Sequence, residues 1–259
     1  MKYFLKININ REHRWLSIIY LLLRLSVILI MLDQLRNKSY ENVFLCILTL
    51  ILFLIPSFIE RKIHIDIPDT LETIILLFIF SAEILGEINA YYLIFPYWDT
   101  LLHTLNGFLS AAIGFSLIDI LNKHERFSIS LSPLFVALVA FCFSMTIGIM
   151  WEFLEFGVDS LVGSDMQKDT LITSFQSVLL NEEGKNIPVK IDIENITVNG
   201  KVWKGYIDLG LIDTMMDLIV NFIGAVIFST FGYLYIKTRG KGNFIKRFIL
   251  ETHIDKTQP

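Results

Sequence analysis

The chain has 259 residues, 54% of them hydrophobic and 19% charged, with a mean hydropathy of +0.58. Soluble domains carry close to a quarter charged and just under half apolar residues, so these values exclude an ordinary soluble domain and indicate a polytopic membrane protein. The net charge of −4 is spread as acids and bases in different regions, and the two cysteines, Cys46 and Cys142, each lie inside an apolar run, which argues against a disulfide framework or a thiolate metal site and for small core residues.

Met1 to Trp15 is polar and basic, with Lys2, Lys6, Arg11 and Arg14, and the apolar run after it has no small-residue cleavage pattern, so the first span is expected to stay attached. A helix needs about 20 predominantly apolar residues to cross the hydrocarbon core. That length selects residues 15–32, 42–59, 70–95, 100–121, 130–156 and 211–236. The expected fold is therefore all-α, a polytopic membrane helical bundle of about six transmembrane helices in a single integral membrane domain over residues 1–259. Residues 163–210 read as a small extracytoplasmic, strand-containing loop insertion. Val189 to Ile193 and Ile196 to Ile207 alternate apolar and polar residues, and Asn199-Gly200 is a hairpin turn pair.

Lysine and arginine in the short loops set the expected orientation. With the N-terminus in the cytoplasm, the inner segments hold Lys2, Lys6, Arg11, Arg14, Arg61, Lys62, Lys123, Arg126, Lys237, Arg239, Lys241, Lys246, Arg247 and Lys256, while the short outer loops hold Arg36 and Lys38. The expected location is the cell membrane, multi-pass, with both termini cytoplasmic. Nucleic acid is not an expected partner, since the basic residues follow the inner membrane surface.

Ionisable residues within the spans carry the functional information. An Asp at mid-span costs roughly 2.5 to 3.5 kcal/mol on insertion scales, so a cluster is a functional-site hypothesis. At 100° per residue, Asp99 and His103 share a helical face with Gly107. Glu152, Glu155 and Asp159 share another, and Asp213, Asp217 and Asn221 a third, with Gly224 where a neighbouring helix can approach closely. Glu83 and Glu87 add a fourth wall or snorkel to the outer surface. All fall in the extracytoplasmic half. Plainer roles exist for some of them: Asp99 and Asp213 stand where a helix N-cap belongs, and Asp159 at a membrane surface is simply solvated. Glu152 and Glu155 near a helix C-terminus oppose the macrodipole and need another cause. Trp98, Trp151, Tyr91, Tyr92 and Tyr97 form an interfacial aromatic belt.

These acids cannot all be charged without protons, a cation or a cationic ligand, because Arg24 is the basic residue available within the spans. An Asp, Glu and His set without thiolate suits Mg2+, Mn2+ or Zn2+. The expected metal ligands and catalytic candidates are Asp99, His103, Glu152 and Asp217, and the expected substrate-binding set is Glu155, Gln167, Asp213 and Asn221, whose amides and carboxylates orient polar groups.

The segments WDTLLHTLNGF (Trp98 to Phe108), WEFLEFGVD (Trp151 to Asp159), SDMQKD (Ser164 to Asp169) and GLIDTMMDLIVNFIGA (Gly210 to Ala225) resemble the YjdF-like family of bacterial membrane-spanning proteins. The order D-x3-H-x3-G, then E with a following Q, then D-x3-D-x3-N-x2-G is also similar to the VanZ-like family, associated with glycopeptide-antibiotic resistance. The resemblance covers roughly the last four spans. It implies a polytopic helical fold and equivalent polar positions at Asp99, His103, Gly107, Glu152, Glu155, Asp159, Gln167, Asp213, Asp217, Asn221 and Gly224, and it implies no reaction. Three functions fit: metal-dependent hydrolysis, from the outer side, of a lipid or lipid-linked envelope precursor; a proton- or cation-coupled transporter; or a noncatalytic membrane binding or assembly protein.

Overall fold

The computed structural model describes residues 14–63, 65–123, 131–238, 240 and 242–252. Lys2, Lys6, Arg11, Arg126, Arg239, Lys241 and Lys256, which entered the expected orientation, lie outside the described residues. The chain divides into two compact units, one holding the described residues up to Gly148 and from Val220 onward, the other Ile149–Ile219.

Among the described residues, five helical stretches are long and apolar enough to cross a membrane: Trp15–Arg36, Tyr40–Lys62, Trp98–Asn122, Pro133–Val162 and Leu211–Lys237. They correspond to α1 (Arg14–Arg36), the consecutive α2 (Tyr40–Leu52) and α3 (Ile55–Ile63), α6 (Trp98–Lys123), α7 (Pro133–Val162) and α8 (Leu211–Lys237). The stretch expected as a sixth span, 70–95, is built differently. Following β1 (Ile65–Asp66), α4 (Asp69–Phe80) passes directly into a π-helical turn, Ser81–Ile88, which stops where Ala90 adopts a left-handed φ of 56° before the short α5 (Tyr91–Ile94). Gly86 lets the Tyr92 ring occupy the space of a side chain, since a Cβ there would lie 2.3 Å from it. The wider turn leaves Glu83 half-buried and Glu87 exposed.

The first unit has two apolar cores. Val27, Cys46, Phe53, Leu76 and Ile84 close one among α1, α2, the segment after it and the α4–π helix. The other joins Leu71 of α4, Ala112 and Phe115 of α6, Val136 and Ala140 of α7 and Phe228 of α8. Cys46 is thus a small core residue as expected, whereas Cys142 is exposed on α7, because its apolar run is a helix with a face turned away from the protein. Within the spans, Tyr20 donates a 2.5 Å hydrogen bond to buried Glu72, and Arg24 stacks 4.9 Å from the Tyr20 ring centroid. That combination partners an acid and a base that hydropathy alone would penalise.

Small residues draw α6, α7 and α8 together. A Cβ on Gly107 would lie 2.0 Å from the Asn221 carbonyl oxygen, one on Gly224 2.0 Å from the Thr104 carbonyl oxygen, and one on Gly148 2.6 Å from the Asn221 amide nitrogen. Asn106 donates to Asn221 Oδ1 at 3.1 Å, and Ser144 donates to the Gly107 carbonyl at 2.7 Å. Close backbone approach with interhelical polar bonds is how helices associate where no hydrophobic contrast with lipid exists.

In the second unit the segment between α7 and α8 forms three two-stranded antiparallel ladders. β2 (Leu171–Ile172) pairs with β7 (Tyr206–Ile207), β3 (Ser174–Ser177) with β4 (Val189–Asp192), and β5 (Ile196–Val198) with β6 (Lys201–Trp203). Asn199 and Gly200, at φ 48° and 79°, make the two-residue turn joining β5 to β6, the positive-φ pair that matches strand twist. The all-α bundle with a small strand insertion is therefore the observed class of fold.

Candidate functional site

Glu152 and Glu155 lie three residues apart on α7, so their side chains leave the helix on one face, and Asp217 stands in the second turn of α8. One carboxylate oxygen from each lies within 4.8 Å of the others, and all three residues are buried, at 4%, 7% and 4% exposure. The three acids belong to one compact unit. With ionised carboxylates at that spacing, each pair repels by at least about 3.5 kcal/mol even at an effective dielectric constant of 20. Such a triad is a place for a bound cation or for shared protons.

Trp151 supports the triad. Its Nε1–H donates to Glu155 Oε1 at 2.8 Å across one helical turn, while the indole is 41% exposed. An indole nitrogen is a donor only, so this contact fixes one Glu155 oxygen as an acceptor. Sequence reading assigned Trp151 to the aromatic belt. The spacing W-x3-E is the signal that identifies its second role.

The other acids of the α7 and α8 stripes have different work. Asp159 accepts from the Ser164 hydroxyl at 2.7 Å and from the backbone N–H groups of Met166 and Gln167 at 2.6 and 2.8 Å. Asp213 accepts from the Lys168 N–H at 2.7 Å, and the Gln167 side-chain amide donates to the Thr214 hydroxyl. The SDMQKD segment is thereby pinned to both helix ends. Capping of α8 falls to Asp208, not to Asp213: the helix begins at Leu211, and Asp208 accepts from the Ile212 and Thr170 N–H groups at 2.8 and 2.7 Å. Burial opposes the Asp208 charge, but the backbone N–H donors of Thr170, Ile212 and Gly210 outweigh it and hold the carboxyl below the usual range. Asp169 is pushed up, by burial and then by the neighbouring Asp165 and Asp208 charges.

The remaining expected residues lie in the first unit. Asp99 and His103 form an i,i+4 pair on α6, with Nε2 to Oδ1 at 3.5 Å and the imidazole buried. Asp99 lies in the first turn of that helix, which begins at Trp98. Asn221, 1% exposed, gives its side chain to the helix junction, accepting from Asn106 and approaching the Ser144 carbonyl at 3.5 Å. Asn106, Ser144 and Gly148, its partners, escaped sequence reading because contacts between helices leave no local pattern.

The family described as "Predicted membrane protein (DUF2238)" matches residues 16–238. The chain belongs to this family. The match covers every described membrane-length helix except Trp15, the first residue of the α1 span, and the protein is accordingly a membrane protein of several apolar helices. A Thermotoga maritima protein described as "Uncharacterized protein" is 28% identical over 107 residues, covering 41% of this chain and 53% of that relative. The aligned stretch thus spans about half the length of the relative. No solved structure matches the chain.

Proposed function

We propose that this protein is a membrane-embedded, divalent-cation-dependent hydrolase acting from the outer side on a lipid or lipid-linked envelope precursor. The observation that carries the reading is the triad of Glu152, Glu155 and Asp217, three buried carboxylates with oxygens within 4.8 Å. An all-oxygen donor set of this kind suits a hard cation, Mg2+, Mn2+ or Ca2+. Such an ion, when bound, supplies Lewis-acid polarisation of a phosphoryl or acyl oxygen and activates water. The protein's part is to hold three carboxylates ready, to fix Glu155 through Trp151, and to leave one carboxylate oxygen to take a proton from the attacking water.

With α4 and the π-helical turn after it taken as a further crossing, the short-loop charges support the outer side: Arg61, Lys62, Lys123 and Lys237 inside against Arg36 and Lys38 outside favour an orientation with the end of α7, the start of α8 and the strand insertion outside. Asp99 and His103, expected as metal ligands together with Glu152 and Asp217, are an acid–imidazole pair of the first unit, and the reading does not depend on them. The motif resemblance to the YjdF-like and VanZ-like families is part of this proposal and is compatible with an envelope substrate.

Elemental analysis of detergent-purified protein tests the reading, with wild type beside Glu152→Gln and Asp217→Asn after dialysis without chelator. Near-stoichiometric Mg, Mn or Ca in wild type, lost in both folded variants, supports it and opens a screen of phosphatase and esterase substrates. Metal-free wild type that gains no thermal stability from millimolar Mg2+, Mn2+ or Ca2+ overturns it in favour of protonated acids and the transporter or binding alternatives.

A further inference from the structure

The described chain after α8 does not run off into water. It turns back, forms the single turn α9 (Asn243–Lys246), and buries Ile245, Phe248, Ile249 and Leu250 to 5–6% exposure in the core shared by α4, α6, α7 and α8. The Phe248 ring meets Phe108 of α6 edge-on at 5.2 Å and Phe228 of α8 at 6.4 Å, while Phe244 bridges Phe248 and Phe231 at 5.1 and 5.9 Å. Phe228 stands nine residues before the end of α8, roughly 14 Å inside it at 1.5 Å per residue. The tail therefore re-enters the span. Non-helical backbone at such depth persists only where protein surrounds it, and here the Leu250 N–H donates to buried Ser116 Oγ at 3.0 Å. Beyond that bond β8 (Glu251–Thr252) pairs antiparallel with β1, Thr252 opposite Ile65.

We propose that residues 243–252 are a re-entrant plug that seals this end of the helix bundle in the first unit. The segment splits into a polar and an apolar part that suit a plug, since Lys246 and Arg247 are exposed and the next three residues are buried. Asp119, three residues beyond Ser116 on α6, is buried as well. A sealed end denies the first unit a through-path and leaves transport without an inner exit. The inference is independent of the metal reading, since every residue in it belongs to the first unit.

Thiol accessibility in the intact protein tests it. In a Cys46→Ala, Cys142→Ala background, Ala112→Cys places a reporter at a fully buried position of the same core. Its reaction with a water-soluble maleimide is expected to be slow in the full chain and at least tenfold faster in Phe248→Glu and in a chain ending at Gly242. Equal rates in all three, whether slow or fast, overturn the plug. If neither variant folds, Ser116→Cys with Leu250→Cys decides: mild oxidation in membranes yields the cross-link when the tail is re-entrant, and the absence of a cross-link in folded protein refutes it.

Discussion

Replacing Gly107 by alanine tests the packing that brings α6 and α8 together. The added Cβ would stand 2.0 Å from the Asn221 carbonyl oxygen and 2.8 and 3.0 Å from two more backbone atoms of that residue, and backbone cannot swing aside as a side-chain tip can. The helices must part by about 1 Å, which forfeits a quarter to a half of the dispersion across the contact. It also stretches the Asn106–Asn221 hydrogen bond between the two helices, worth roughly 0.5 to 1.5 kcal/mol. Together with overpacking strain of about 1 to 3 kcal/mol, the expected loss is about 2 to 5 kcal/mol. Gly157→Ala is the matched control, because it adds the same atom to a helix with nothing within 4 Å, and it should be neutral or stabilising by up to about 1 kcal/mol. Thermal unfolding in one detergent, followed by helical circular dichroism, compares the two. Equal transition temperatures for the two variants would show that α6 and α8 do not meet backbone to backbone at Gly107.

Trp151→Phe keeps an aromatic ring and removes the donor to Glu155, so on the proposed function Mn2+ affinity, read from free-ion paramagnetic resonance, should fall about tenfold with the fold intact; unchanged affinity would separate Trp151 from the site. Phe248→Ala opens a cavity among Phe108, Phe228 and Phe244 and should cost about 3 to 5 kcal/mol in the same thermal assay, and a loss under about 1 kcal/mol would mean the tail is not packed there. Asp208→Asn leaves one accepting oxygen where two now serve the Thr170 and Ile212 N–H groups, and it should cost about 0.5 to 1.5 kcal/mol at neutral pH. Because the Asp208 pKa is held below its ordinary 3.8, its contribution is present above that value and lost as pH falls through the lower folded value, so wild type and variant should converge in acid. A difference that stays constant however far pH falls below 3.8 would contradict that assignment.

The sequence by itself determined what local chemistry controls. Apolar runs of span length became α1, the α2–α3 stretch, α6, α7 and α8, because a helix that satisfies its own backbone is the solution available to an apolar segment in lipid. Asn199-Gly200 became a hairpin turn because both positions require positive φ. Glu152 and Glu155 could be placed on one face by periodicity alone. The tertiary structure decided everything that depends on which helices meet. Glu155, expected among substrate-binding residues, stands with Glu152 and Asp217, whereas Asp159 and Asp213, on the same stripes, are committed to backbone donors of the SDMQKD segment. The π-helical turn in 81–88 and the re-entry of Phe248 likewise left no periodic signal. Which carboxylate meets Glu152 across the long α7–α8 connection is set by packing, and no count along the sequence contains it.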